Sequence, residues 1–249
     1  MREYIWDTHS HLYSFEDISS LVLKLRRERI RVIVVGEDKE TNQKAKELAE
    51  EFPDLLFPAF GLHPFLLNRV NWKEERRWLE DNLSRAIALG EIGLDFKGRA
   101  SPEYQREVFR ELLYLARQFN LPVIIHSRKA ARECVEEVEK AGWERVIFHW
   151  FTGNLSLVER GLSLGAYFSI GPQVRKSHSW KRVLRRVPIE RLLLETDSPV
   201  PFQGRPATPL DVREVIEEIS RVKGIDEGKV IEITSRNTRE IFFSGEEKC

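Results

Sequence analysis

The chain has 249 residues, 41% hydrophobic and 32% charged, enough to bury a sizeable core at a length where one barrel domain is common. Forty basic residues balance forty acidic ones, so no global field draws the molecule to a polyanion; such contact must come from a local basic patch or from metal ions. Cys134 and Cys249 make neither a disulfide framework nor a zinc-thiolate spacing, no apolar run reaches membrane-spanning length, and no signal peptide fits before Asp7, so a cytoplasmic protein without membrane contact is expected.

The first predicted strand, Tyr4–His9, begins almost at once and is followed by a helical pattern over Phe15–Arg29. Strand Arg31–Gly36 then precedes helix Lys39–Glu51, and strand Leu55–Phe60 precedes helix Trp72–Ser84. The alternation continues with Ala86–Gly90 and Glu103–Phe119, Pro122–His126 and Lys129–Lys140, and Arg145–Phe148 and Leu155–Leu164. It ends with Ala166–Ile170 and His178–Arg186, then Arg191–Glu195 and Leu210–Val222. Runs such as Val32-Ile33-Val34-Val35 and Val123-Ile124-Ile125 are apolar throughout, as strands covered on both faces are. Eight strand–helix units in this length favour α/β architecture as a closed (β/α)8 TIM barrel over an open sheet. Asp226–Phe243 is predicted as an extra C-terminal helix, and the absence of linkers or low-complexity tracts makes residues 1–249 a single domain.

Barrel enzymes place their sites at the carboxyl ends of the strands. Residues i, i+2 and i+4 of a strand share a face, so Asp7, His9 and His11 are expected to aim at one point. His63 follows the third strand, Glu91 the fourth, His126 the fifth, His149 the sixth and Asp197 the eighth, so five of the six histidines fall at strand ends. His178, among Lys176, Ser177 and Lys181, reads as a solvated residue. Imidazole with carboxylate suits zinc, manganese, nickel, cobalt or iron, and this many donors exceeds what one open catalytic ion needs. A pair of divalent ions with a bridging carboxylate fits better.

Asp7-x-His9-x-His11, Gly61-Leu62-His63-Pro64, Gly90-Glu91-Ile92-Gly93-Leu94-Asp95, His126-x-Arg128, His149-x-Phe151-x-Gly153 and Glu195-Thr196-Asp197-Ser198-Pro199 together resemble the TatD family. These are metal-dependent hydrolases of barrel fold, usually described as deoxyribonucleases. The motifs run in family order across nearly the whole chain. The resemblance implies that His9, His11 and Asp197 hold one divalent ion, that His126 and His149 hold a second, and that Glu91 bridges them. Zinc, manganese, magnesium, nickel and cobalt are the candidate ions. It further implies Asp197 as base or orienting group for the attacking water and Asp7 as a supporting residue that fixes a histidine's orientation. Phosphotriesterase-like barrels share the layout but commonly place a carbamylated lysine where this chain has Glu91. The family's Arg-Asn-Glu-Pro stretch is absent; the text is Val200-Pro201-Phe202-Gln203-Gly204-Arg205-Pro206, with Arg205 as a stand-in for the arginine.

The expected function is metal-dependent hydrolysis of DNA phosphodiesters, favouring single strands or chain ends at a barrel mouth. Arg128 reads either as a fork onto a phosphate or as a rim salt bridge, His63 either as a substrate contact or as a supporting histidine. Lys97, Arg99, Arg175 and Lys176 are candidates for a basic patch. Trp150, Phe151 and Phe202 either stack unpaired bases or pack the wall. Amide, ester or lactone hydrolysis by the same ions is the alternative, and a non-catalytic metal-binding barrel a second one. The oligomeric state is left open, a monomer included.

Overall fold

Strand residues alternate between two environments. Trp6, Ile33, Val35, Ala59, Ala88, Ile124, Ile147, Tyr167 and Leu193 gather in one buried cluster, whereas Val32, Val34, Val123, Ile125, Val146, Phe148, Leu192 and Leu194 belong to another, which packs against the helices. This period of two is that of a sheet closed on itself, one face inward and one under helices. The structure, a computed structural model, describes residues 3–243; Cys249 lies outside the described residues, and Cys134 is a buried free thiol.

The strands are β1 (Ile5–Ser10), β2 (Ile30–Val35), β3 (Leu56–Phe60), β4 (Ala88–Asp95), β5 (Val123–Arg128), β6 (Val146–Phe148), β7 (Tyr167–Ile170) and β8 (Leu192–Leu194). They form one sheet in chain order, each neighbour parallel. The seam between β1 and β8 is closed by a Ser10–Ser198 bridge, by the Thr8 hydroxyl donating to the Leu194 carbonyl at 2.9 Å, and by the Asp197 N–H donating to the His9 carbonyl at 2.9 Å. The expected TIM barrel is therefore the observed one.

Eight helices follow the strands in turn: α1 (Ile18–Glu28), α2 (Lys39–Glu51), α3 (Trp72–Asn82), α4 (Pro102–Gln118), α5 (Ala131–Ala141), α6 (Leu155–Ser163), α7 (His178–Arg186) and α8 (Val212–Lys223). The predicted extra helix is α9 (Glu227–Phe243). Its Ser235 hydroxyl donates to the Tyr4 carbonyl and its Asn237 amide to the carbonyls of Ile189 and Leu192, so it covers the end where the strands begin. There Phe243 meets the Trp6 ring at 5.4 Å.

Departures from the expected bounds have local causes. α1 starts at Ile18 rather than Phe15 because Asp17 caps it, accepting from the Ser20 N–H. α8 starts at Val212 because Thr208 and Asp211 form a capping box around a short turn beginning at Pro209. A small hairpin, β9 (Pro201–Phe202) and β10 (Arg205–Pro206), was not anticipated; Gln203 and Gly204 between its strands both take positive φ. β4 does not end before Glu91 but runs on to Asp95, pairing Gly93, Leu94 and Asp95 with His126, Ser127 and Arg128.

Gly93 makes that extension possible, because its φ is +137° and an added Cβ would lie 2.1 Å from the His126 carbonyl oxygen. Gly93→Ala is expected to lose about 2 kcal/mol or more of stability in urea unfolding. A variant as stable as the parent would contradict this close approach.

Candidate metal centre

Two of the expected site residues face the barrel interior only because their strands contain an extra residue. In the β1–β2 ladder Asp7 aligns with Val32 and Ser10 with Val34, so β1 takes three steps where β2 takes two. In the β4–β5 ladder Leu89 aligns with Val123 and Ile92 with Ile125, the same excess of one. Trp6 and Ala88 already face inward, so strict alternation would turn His9 and Glu91 under the helices. A bulge of one residue reverses that direction. Asp7, His9 and His11 therefore do not converge as one face of a regular strand, unlike the i, i+2, i+4 expectation.

The bulges bring four imidazoles and two carboxylates together. Glu91 Oε1 lies 2.6 Å from His126 Nδ1 and 3.7 Å from His149 Nε2, and its Oε2 lies 3.3 Å from His9 Nε2 and 3.9 Å from His11 Nε2. Asp197 Oδ1 is 3.5 Å from His11 Nε2 and 3.7 Å from His9 Nε2, with Oδ2 3.8 Å from His149 Nε2. His9 also stacks on His149, with ring centroids 3.8 Å apart. Asp197 itself takes φ +53°, a left-handed conformation that is sparsely populated without glycine. Its N–H bonds to the His9 carbonyl, and its own carbonyl accepts from the Val200 N–H at 2.9 Å.

His11, His63, His126 and His149 are oriented from outside the cluster. The His11 Nδ1 faces the Val35 carbonyl at 2.9 Å and therefore carries a proton, so Nε2 is the nitrogen whose lone pair is freed when the ring gives up its charge. The Phe65 N–H donates to His63 Nδ1 at 3.1 Å, placing the His63 proton on Nε2, 3.6 Å from Glu91 Oε1. His149 Nδ1 is 2.7 Å from Glu195, a carboxylate that also accepts from the Ser169 hydroxyl and the Trp150 N–H. His126 Nε2 is 3.2 Å from Asp95, which also accepts from Arg128 Nε and the Lys97 N–H.

Glu195 and Asp95 were given no role from sequence, although both stand within the quoted motifs. Their type and their place just beyond, or at the end of, an apolar run were the available signal. Asp7 acts differently from the expectation. Its carboxylate accepts from the Thr196 N–H at 2.8 Å, the Thr196 hydroxyl and the His9 N–H, and so holds the backbone on both sides of the seam rather than a histidine ring.

The donor set fits a cation. Both His9 ring nitrogens are fully buried with no hydrogen-bond partner among the described residues. An unpartnered buried polar atom is costly unless something absent from the protein atoms satisfies it. The groups His9, His11 and Asp197, and Glu91, His126 and His149, each bring their donor atoms close enough to share an ion.

Protons occupy the cluster in the ion-free protein. Burial opposes charge on His149, but Glu195, Glu91 and Asp197 outweigh it and push the imidazole up to about 10. Burial likewise opposes charge on His11, which Asp197, Glu37 and Glu91 raise to about 9. Burial lowers His63 to about 3 and keeps it neutral. Burial also disfavours ionised Glu91, yet the surrounding histidines hold it well below the usual carboxylate range; His149 and His11 do the same for Asp197.

The cluster opens into a cavity of about 650 Å³ lined by Phe65, Trp150, Trp180, Val200 and Arg128 among others. The Arg128 side chain is 52% exposed and pairs with Asp95 at 2.9 Å, so the expected rim salt bridge is present and part of the guanidinium remains in the cavity. Arg205 bonds to both carboxylate oxygens of Asp211, at 2.5 and 2.9 Å, which commits it to fastening the hairpin loop. Arg175 pairs with Glu214 and Glu217 and contributes no free charge to a basic patch. Phe151 and Phe202 are buried in the packing. His178 is exposed at the start of α7, and no described helix is long and apolar enough to cross a membrane.

Comparison with known proteins agrees with this architecture. The profile of the family described as "TatD related DNase" matches residues 6–243. The uncharacterized metal-dependent hydrolase YabD of Bacillus subtilis is 33% identical, over 96% of this chain and 98% of its own length. Human deoxyribonuclease TATDN3 is 30% identical over 95% of this chain and 93% of its own. The crystal structure of the TatD homologue YjjV from Escherichia coli superposes with a TM-score of 0.87 at 27% identity, covering 96% of this chain and 98% of the other.

A raised imidazole pKa strengthens the ion-free fold below the ordinary value of 6.5, and that contribution is lost as pH rises through about 9 for His11 and about 10 for His149. Metal affinity runs the other way, since ligand nitrogens must shed protons. Adding zinc to metal-free protein in weak buffer at pH 7 is expected to release about one proton or more per chain, read with an indicator dye. Stoichiometric uptake without release would contradict this protonation state.

Proposed function

The chain belongs to the TatD-related DNase family, and on that premise we propose that it hydrolyses DNA phosphodiester bonds with two divalent ions. In this reading His9, His11 and Asp197 hold one ion, His126 and His149 hold the other, and Glu91 bridges them. The observation that carries it is His9, fully buried with both ring nitrogens lacking a hydrogen bond among the described residues and its Nε2 3.3 Å from Glu91 and 3.7 Å from Asp197. Such ions, when bound, acidify a water, neutralise a phosphate oxygen and stabilise the leaving oxygen.

The chain's own residues do the rest. Asp197, kept ionised by the neighbouring imidazoles, accepts the proton of the attacking water. Glu195 fixes the His149 ring so that Nε2 points inward, and the Val35 carbonyl does the same for His11. Arg128, held flat by Asp95, presents its remaining N–H groups to a phosphate in the cavity. The lining loops enclose a space suited to a single strand or chain end, which favours exonuclease action over duplex cutting.

The family's Arg-Asn-Glu-Pro stretch is absent and its stand-in Arg205 pairs with Asp211, which favours keeping a second reading, hydrolysis of an amide, ester or lactone. End-labelled single-stranded DNA assayed with manganese, magnesium, zinc, nickel and cobalt, beside aryl ester and amide panels, separates the two. Metal-dependent release of mononucleotides is expected. Failure with every ion would overturn the deoxyribonuclease reading, and turnover of neither class would leave a metal-binding barrel. Glu91→Ala is expected to lower turnover by about a hundredfold or more, and Glu195→Gln by about 10–100-fold through the His149 orientation. A fully active Glu91→Ala variant would refute the bridging role.

A further inference from the structure

The loops after β6 and β7 bring two indoles to the rim of the cavity that contains Glu91 and Asp197. Trp150 directly follows His149, and its backbone takes φ +41°, a conformation that bulky residues rarely adopt. The Trp150 N–H donates to Glu195 at 3.1 Å, so the carboxylate that orients His149 also fixes this turn. Trp180, in α7, meets the Trp150 ring with centroids 5.1 Å apart and planes tilted by 58°. Both rings are half-buried, and both line the cavity.

Trp180 is not explained by packing alone. Its indole N–H is buried with no partner among the described residues, whereas a buried tryptophan usually finds an acceptor. The Trp180 ring packs against the main apolar core as well as against Trp150. Lys97 and Arg99 follow β4 and Lys176 precedes α7, and all three are exposed. Phe65, after β3 and so across the barrel from β7, carries the Arg128 guanidinium 5.6 Å from its ring centroid. Flat apolar faces beside the Arg128 guanidinium in one cavity suit a chain that alternates flat rings with negative charge.

We propose that Trp150 and Trp180 form a stacking subsite for an unpaired nucleobase of the strand being cut. This subsite rests on the deoxyribonuclease reading for its use in turnover, but not for its binding chemistry. Base stacking on an aromatic side chain confers a preference of about tenfold or more.

The test pairs two single-stranded oligodeoxynucleotides, one ending in an ordinary nucleotide and one in an abasic residue. The parent is expected to cut the first about tenfold more efficiently. Trp180→Leu should bring that ratio close to one, and Trp180→Phe, which keeps a flat ring, should restore most of it. In parallel, dAMP should quench the tryptophan fluorescence of metal-free protein, whereas 2-deoxyribose 5-phosphate should not. Trp180→Leu should diminish the quenching. A preference unchanged in Trp180→Leu, or equal quenching by the two compounds, overturns the subsite. If the parent cuts neither oligonucleotide with any ion while the Trp180-dependent quenching by dAMP persists, the deoxyribonuclease reading fails and the nucleobase subsite stands.

Discussion

One extra residue in β1 and one in β4 determine where the chemistry of this barrel points. A regular strand would bury His9 and Glu91 under the helices, where an ionised carboxylate would lack partners and cost several kcal/mol. The two register shifts turn both side chains to the same side of the sheet wall. The remaining groups are then placed by ordinary means: His126 by regular alternation along β5, His149 by the end of β6, and Asp197 by the seam. The close contacts at Gly61 and Gly90 belong to the same arrangement, since a Cβ at Gly61 would strike the Gly90–Glu91 peptide at 2.4 to 2.5 Å. Small residues around β4 give the bulged backbone the room it needs.

The cluster so assembled is electrostatically self-consistent. Glu91 and Asp197 stay charged although buried because imidazoles surround them, and His149 and His11 stay charged because those carboxylates and Glu195 surround them in turn. His63 and His9 are the exceptions, held neutral mainly by burial. A cation entering this set would replace the positive charge of protons with its own, so the protein need not be rebuilt electrostatically to accept it.

Much of this was legible in the sequence, but not evenly. The eight-fold alternation could be read because runs such as Val123-Ile124-Ile125 fill both faces of a strand and leave little ambiguity. α2 and α7 begin and end where expected, as their capping residues Asp38 and Ser177 suggest. The histidines could be found by type and position. The bulges could not, because they show only in which backbone groups pair, and the apolar pattern around them is undisturbed. The pairing of Arg205 with Asp211 could not be read either, because Asp211 lies in the next turn and looks like an ordinary helix-start acid. Trp180 was overlooked because it sits in a charged helix, with nothing in its own segment to tie it to the mouth.

The seam has a consequence for how the molecule comes to exist at all. Asp7 and Thr196 are separated by 189 residues, as are, nearly, the other groups that close β1 against β8. Contacts of such sequence separation make folding slow, because the loop they close spans 189 of the 249 residues. Two of the ligand candidates, His9 and His11, lie on one side of that gap and Asp197 on the other. The centre therefore comes into being only with the last closure of the barrel. A partly folded chain, or half a barrel, would hold scattered imidazoles and carboxylates without a complete site. Ion binding that needs the closed seam would stabilise the closed barrel over any open form.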